Sequence, residues 1–254
     1  MAERTVVQMF EDSVRMHADT VMMREKRGDE FQDATYRDIH QQVRRFAAGL
    51  MSYGIEKGDR IALISEGRNA WVIAELGILY SGAINVPMSV KINELSDLKF
   101  RLSHSGCRLV VVSANQGEKV FSIKNDLPDL EKVILLDEKK SDTDDVIYLE
   151  QLLESGDEFL TQNDDAFKAR CESVQEDDAA NICYTSGTTA DPKGIILTHR
   201  NYTANVEQAS ALLPIPVHYH SLLILPWDHS FAHTAGIYTL MKNGASMSSI
   251  QVGK

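Results

Sequence analysis

At 254 residues, with 43% hydrophobic and 25% charged side chains, the chain has the composition of a globular protein able to bury a sizeable core in one large or two small domains. A formal net charge of -11 excludes general affinity for nucleic acid or for an anionic membrane, so any bound nucleotide must be held by a local site. The N-terminus has no apolar signal core, and the longest apolar tract, 70–80, contains Glu75 and is too short to span a bilayer; Cys107, Cys171 and Cys183 have no zinc-type spacing and read as reduced thiols, which together predict a cytoplasmic protein without an integral membrane segment.

In chain order, Val6, Phe10, Val14 and His17 recur at helical spacing and predict an amphipathic N-terminal helix. Segments 21–24 and 30–34 flank Gly28-Asp29, which predicts a β-hairpin. Thr35 is placed to cap a helix with an apolar stripe of Ile39, Val43, Phe46, Ala47 and Leu50, and Gly54 stands where that helix should stop. Strand and helix then alternate: strands at 60–65, 83–87, 109–113 and 132–136, helices at 69–81, 93–105 and 118–126. Such alternation needs crossover connections and so predicts largely parallel sheets flanked by helices.

The stretch 137–178 is rich in Asp and Glu, with an apolar patch at 147–153. Its acids lack compact metal-ligand spacing, so it is expected to be a solvated surface with one short helix. A subdomain boundary is expected here, giving a first α/β subdomain at 1–170 and a second at 171–254. Past it, helices are predicted at 201–213 and 231–242 and strands at 221–225 and 246–252.

Chemistry concentrates in 184–201, YTSGTTADPKGIILTHRN, a polar turn between apolar runs at 180–184 and 194–197. Thr185, Ser186, Thr188 and Thr189 offer hydroxyl donors, Gly187 permits close backbone approach, and Lys193 supplies positive charge, a set suited to polyphosphate oxygens. A Walker A loop is excluded by spacing, because Pro192 precedes Lys193 where Gly is needed and Gly194 follows where Ser or Thr is needed. A plain polar hairpin turn is the remaining alternative, but it has no need for so many hydroxyls beside one Lys.

This segment resembles the phosphate-loop signature of the adenylate-forming superfamily of acyl-CoA synthetases, luciferases and peptide-synthetase adenylation domains. One position departs, with Ala190 where the family usually has Gly. Gly58-Asp59-Arg60, Asn69-Ala70-Trp71 and Gly82, Ala83, Val86 and Pro87 resemble the opening blocks of acyl-CoA synthetases and are read as scaffold. The run from Leu225 through Pro226, Trp227, Asp228, His229 and Ser230 to Phe231 resembles the segment that lines the acyl and adenylate pocket of long-chain fatty acyl synthetases. The resemblance makes His229 and Phe231 the substrate-side candidates, with capping by His229 and core packing by Phe231 as the bland alternatives. His199 and Asn201 also match, with Asn201 or Thr198 expected to cap the next helix; His218 and His220 lack a further ligand, and no metal-ligating residue is assigned.

The resemblance implies the N-terminal part of an ATP-dependent fatty acyl-CoA synthetase. There a carboxylate attacks the α-phosphate of ATP with Mg2+ present, and coenzyme A sulfur then displaces AMP. The later Tyr-Gly-x-Thr-Glu block, the ribose-binding Asp block, the hinge and the C-terminal Lys of the family have no counterpart in these 254 residues, so a fragment inactive on its own is expected. Its partner is a carboxylic acid, and open sheet edges are expected to favour self-association. Two other readings stay open: a fragment of an aryl- or amino-acid-adenylating enzyme, and a non-catalytic nucleotide-binding module.

Overall fold

The structure is a computed structural model that describes residues 5–138, 145–185 and 192–249. It opens with helix α1 (Val6–His17), whose first turn is capped by Thr5 Oγ1 accepting from Gln8 N–H at 3.0 Å. Strands β1 (Val21–Arg27) and β2 (Glu30–Thr35) form the expected antiparallel hairpin, and Gly28 at φ +63° supplies the left-handed turn residue. Thr35 ends β2 and caps α2 (Tyr36–Ser52): its Oγ1 accepts from Asp38 N–H at 3.2 Å, and the Asp38 carboxylate accepts from Thr35 N–H at 2.8 Å.

The alternating stretch follows as β3 (Arg60–Ile64), α3 (Asn69–Tyr80), β4 (Ile84–Pro87), α4 (Leu95–Ser105), β5 (Leu109–Val112), α5 (Ala114–Ile123) and β6 (Lys132–Leu135). Next come β7 (Val146–Tyr148), α6 (Leu149–Ser173), β8 (Ala179–Thr185), β9 (Lys193–Thr198) and α7 (His199–Leu212). The described chain ends with β10 (His220–Leu223), a π-helical segment (Ala232–Tyr238) running into α8 (Thr239–Lys242), and β11 (Ser246–Ser249).

One sheet has seven strands in the order β7-β6-β5-β3-β4-β8-β9, parallel except for the antiparallel β8–β9 pair. Side chains of its central strands alternate between two cores. Ile61, Leu63, Leu109 and Val111 join the core that includes α2 and α3, while Ala62, Ile64, Val110 and Val112 join the one beneath α4 and α5. Burial on both faces explains why these strands read as unbroken apolar runs. Arg60 links this sheet to its cover by donating to the carbonyls of Ser105 and Gly106 at the end of α4, a scaffold role.

The second sheet, β10-β11-β1-β2, joins the first hairpin to the far end of the chain, with β1 parallel to β11. Tyr36 fastens this closure, its hydroxyl donating to the Ala245 carbonyl at 2.8 Å. The expected division at 170/171 falls inside α6, and the seven-stranded sheet takes strands from both sides of it.

The acidic stretch differs from expectation. Its described acids are solvent-exposed or half-buried as expected, but in place of one short helix it forms β7 and the 25-residue α6, bent at Asn163. That helix lies on α2 at glycine distance: a Cβ built on Gly156 would stand 1.9 Å from the Arg45 carbonyl oxygen, and one on Gly49 would stand 2.3 Å from that of Leu152. Its acids are partly used as tethers, Asp157 to Arg45 at 2.6 Å and Asp164 to Arg44 at 3.1 Å.

Candidate functional site

In a parallel α/β sheet, ligand-binding groups gather beyond the carboxyl ends of the strands. Thr185 is the last residue of β8 and Lys193 the first of β9, and the two are register partners across the mouth of that hairpin. Both are exposed. Ser186, Gly187, Thr188 and Thr189, together with Ala190, lie outside the described residues. The strand that delivers them is firmly held: the Tyr184 hydroxyl donates to the Arg101 carbonyl at 3.2 Å and lies 2.8 Å from His104 Nδ1, and the Arg101 guanidinium stands 5.3 Å over the Tyr184 ring.

A cavity of about 310 Å³ opens between the β10 end and the π-helical segment, lined among others by Leu223, Leu225, Trp227, Ala232, Ala235 and Gly236. Its wall is apolar and its floor is made of small residues, which suits a hydrocarbon group. Trp227 is clamped against α3 and the loop that precedes it. Its indole meets the Trp71 ring edge-on at 5.3 Å, and a Cβ on Gly67 would fall 2.4 Å from the same indole.

His229 and Phe231 are brought near the cavity in sequence but do not line it. His229 is exposed, and its Nδ1 accepts from Phe231 N–H at 3.2 Å, a local capping bond that starts the helical segment. Phe231 is 60% exposed. Thr198 and Asn201 form a capping box on α7, and His220 is engaged by Ser246 at 2.7 Å and Ser248 at 3.0 Å. Among the described residues no cluster of three or more His, Cys, Asp or Glu side chains could hold a metal ion, and no helix is long and apolar enough to cross a membrane.

Behind the cavity lies a buried polar cluster. His233 points Nε2 at the Trp227 carbonyl, 2.7 Å away, so Nε2 carries the proton. Its Nδ1 is 2.7 Å from Asn181 Nδ2 and 3.2 Å from Glu75 Oε1. Asn181 also donates to Glu75 Oε1 at 3.2 Å and to the Tyr202 hydroxyl at 3.1 Å, and the Tyr238 hydroxyl donates to the same Glu75 oxygen. Burial pushes both phenols far above the ordinary tyrosine range, which keeps them as donors. Burial likewise pushes the Cys107, Cys171 and Cys183 thiols up to about 12, so none is a nucleophile at neutral pH.

The model of the AMP-binding enzyme family matches residues 10–252. The chain belongs to this family. Among the AMP-binding enzymes it resembles, the chloroplastic long-chain-fatty-acid–[acyl-carrier-protein] ligase AEE15 of Arabidopsis thaliana is 28% identical over 90% of this chain and 33% of its own length. A 3-[(3aS,4S,7aS)-7a-methyl-1,5-dioxo-octahydro-1H-inden-4-yl]propanoyl:CoA ligase of Rhodococcus jostii is 29% identical over 84% of this chain and 42% of its own. In fold, the anthranilate CoA ligase AuaEII in complex with anthranoyl-AMP superposes with a TM-score of 0.82 at 18% identity, over 98% of this chain and 45% of the ligase. The chain thus spans between a third and a half of the length of these AMP-binding relatives.

The cluster of Glu75, Asn181, Tyr202, His233 and Tyr238 escaped the sequence reading. Its one signal was a charge where none belongs, Glu75 in the middle of the apolar tract 70–80, echoed by Asn181 inside the apolar run of β8.

Proposed function

We propose that this chain is the ATP-phosphate- and acid-binding part of an acyl-CoA synthetase acting on an apolar, fatty carboxylic acid. The observation that carries the reading is the placement of a hydroxyl- and Lys-bearing hairpin mouth, Thr185 opposite Lys193, at the carboxyl end of the parallel sheet in a member of the AMP-binding family. Lys193 and the donors of 185–189 neutralise the β and γ phosphates as pyrophosphate leaves, holding the α-phosphate in line with the attacking carboxylate. The apolar lining of the Trp227–Gly236 cavity supports an alkyl group as the other half of the substrate.

Mg2+ accompanies ATP on this reading. Such an ion is met mainly by phosphate oxygens and water. Coenzyme A is the acyl acceptor of the second step. On this reading the 254 residues bind without completing the transfer, and the reduced thiols Cys107, Cys171 and Cys183 support a cytoplasmic enzyme. The open edge at β10, with Leu222 and Ile224 exposed, supports self-association.

Calorimetric titration of Mg-ATP into the chain tests the phosphate site. Lys193→Ala weakens binding at least tenfold if this Lys holds the phosphates, since charge-assisted hydrogen bonds to ionised groups contribute about 1.5–3 kcal/mol. Equal affinity for both proteins removes Lys193 from the site.

A further inference from the structure

A π-helix is rare and mostly confined to a single turn, so a seven-residue segment needs an external hold. Here the hold is visible at both ends. His233, second in the segment, and Tyr238, its last residue, both reach Glu75, which is 1% exposed in the body of α3. Asn181 of β8 completes the grip by bonding to both Glu75 and His233. Among the described residues, Glu75 Oε2 and Asn181 Oδ1 have no hydrogen-bond partner, so the cluster is not an optimised packing of the core. Buried polar groups of this kind cost stability relative to apolar packing, and what they give in return is direction.

The direction is that of the cavity. His233 turns one ring nitrogen inward to Asn181 and Glu75 and the other outward to the Trp227 carbonyl, while Ala232, Ala235 and Gly236 from the same segment line the space Trp227 walls. We propose that His233 is a positioning residue that sets the wall and floor of the acid pocket, with Glu75 and Asn181 as its fixed anchor; the proposal rests on the reading of that cavity as the acid site. If the segment relaxed from π to α, the turn would lose one residue, and everything beyond it would rotate by about 100°. Ala235 and Gly236 would leave the cavity floor. The acid pocket is thereby tied to the strand that carries Thr185, four residues beyond Asn181.

The test is calorimetric binding of octanoate, dodecanoate and hexadecanoate to the 254-residue chain, with Gly236→Leu as the variant that fills the cavity. Expected results are binding by the unmodified chain, its loss in Gly236→Leu, a drop of tenfold or more with a flattened chain-length preference in His233→Leu, and recovery to within threefold in His233→Gln, whose amide N–H can still reach the Trp227 carbonyl. No binding by the unmodified chain, or equal binding by Gly236→Leu, overturns the acid-site reading and the proposal with it. Binding that Gly236→Leu abolishes but His233→Leu leaves at its original affinity and chain-length profile overturns the proposal alone. Should His233→Leu fail to fold, long-range proton–nitrogen spectra of the chain labelled at histidine decide: the Nε2–H tautomer with ring signals that move on saturation with dodecanoate supports the role, and ring signals unchanged by the acid refute it.

Discussion

Replacing Gly156 with Ala places a methyl group at the closest approach of two helices. The new Cβ would lie 1.9 Å from the Arg45 carbonyl oxygen, 2.8 Å from its carbonyl carbon and 3.0 Å from the Gly49 nitrogen, all rigid backbone. Non-bonded heavy atoms settle at roughly 3.5 Å, so α6 must move off α2 by about 1.5 Å. That shift loosens the fully buried Leu152 and lengthens the Asp157–Arg45 and Asp164–Arg44 pairs. Overpacking of this kind costs about 1–3 kcal/mol or somewhat more, against a gain of up to about 1 kcal/mol from the higher helix propensity of Ala. A net loss of about 2 kcal/mol corresponds to a fall in Tm of roughly 4–8 °C for a chain of this size. Thermal unfolding followed by circular dichroism measures it, with Glu158→Ala at an exposed position of α6 as the control for propensity. A Gly156→Ala protein that melts within a degree of the control refutes the close crossing.

Two further outcomes follow from the same structure. His199 is buried and accepts from Val6 N–H through Nδ1 at 3.3 Å, and burial lowers its pKa to about 4. Since the unfolded residue titrates near 6.5, the unfolded chain takes up the proton first; the stability held in neutral His199 is complete above about pH 6.5, lost between about 6.5 and 4, and amounts to about 3 kcal/mol. Urea unfolding at pH 7 and pH 4.5 should show that His199→Gln narrows this gap, and an equal pH dependence in both proteins counts against it. At the β10 edge, light scattering should find the chain's mass rising with concentration and Ile224→Lys, at a position 78% exposed, returning it to a monomer; a strict monomer throughout removes the edge from the account.

The elements with local signatures were legible in the sequence. Thr35 with Asp38, Gly28 at the hairpin turn and the apolar runs of β3 to β6 each carry their cause within a few residues. What was not legible depends on distant partners. α6 has apolar residues at helical spacing, Leu149, Leu152, Leu153, Phe159, Leu160 and Phe167, set among many acids and broken at Asn163, and its closest approach to α2 runs through Gly156 and Gly49, which are invisible to hydrophobic periodicity. The parallel pairing of β1 with β11 joins the two ends of the described chain, a non-local choice no window of sequence encodes. At the candidate site, hydroxyl and charge spacing picked out Thr185 and Lys193, which are register partners at the hairpin mouth, and the resemblance picked out Phe231, which stands exposed. The pocket is lined by the less conspicuous Ala235 and Gly236, which only the π-helical geometry turns toward Trp227.

The central claim is that these 254 residues hold the phosphates of ATP and the acid but do not themselves complete adenylation. Acid-dependent exchange of labelled pyrophosphate into ATP, measured on the chain alone with dodecanoate and Mg2+ beside a parallel ATP-binding titration, tests it most directly. The account predicts bound ATP with no exchange above the acid-free background; robust acid-dependent exchange, or no ATP binding at all, contradicts it.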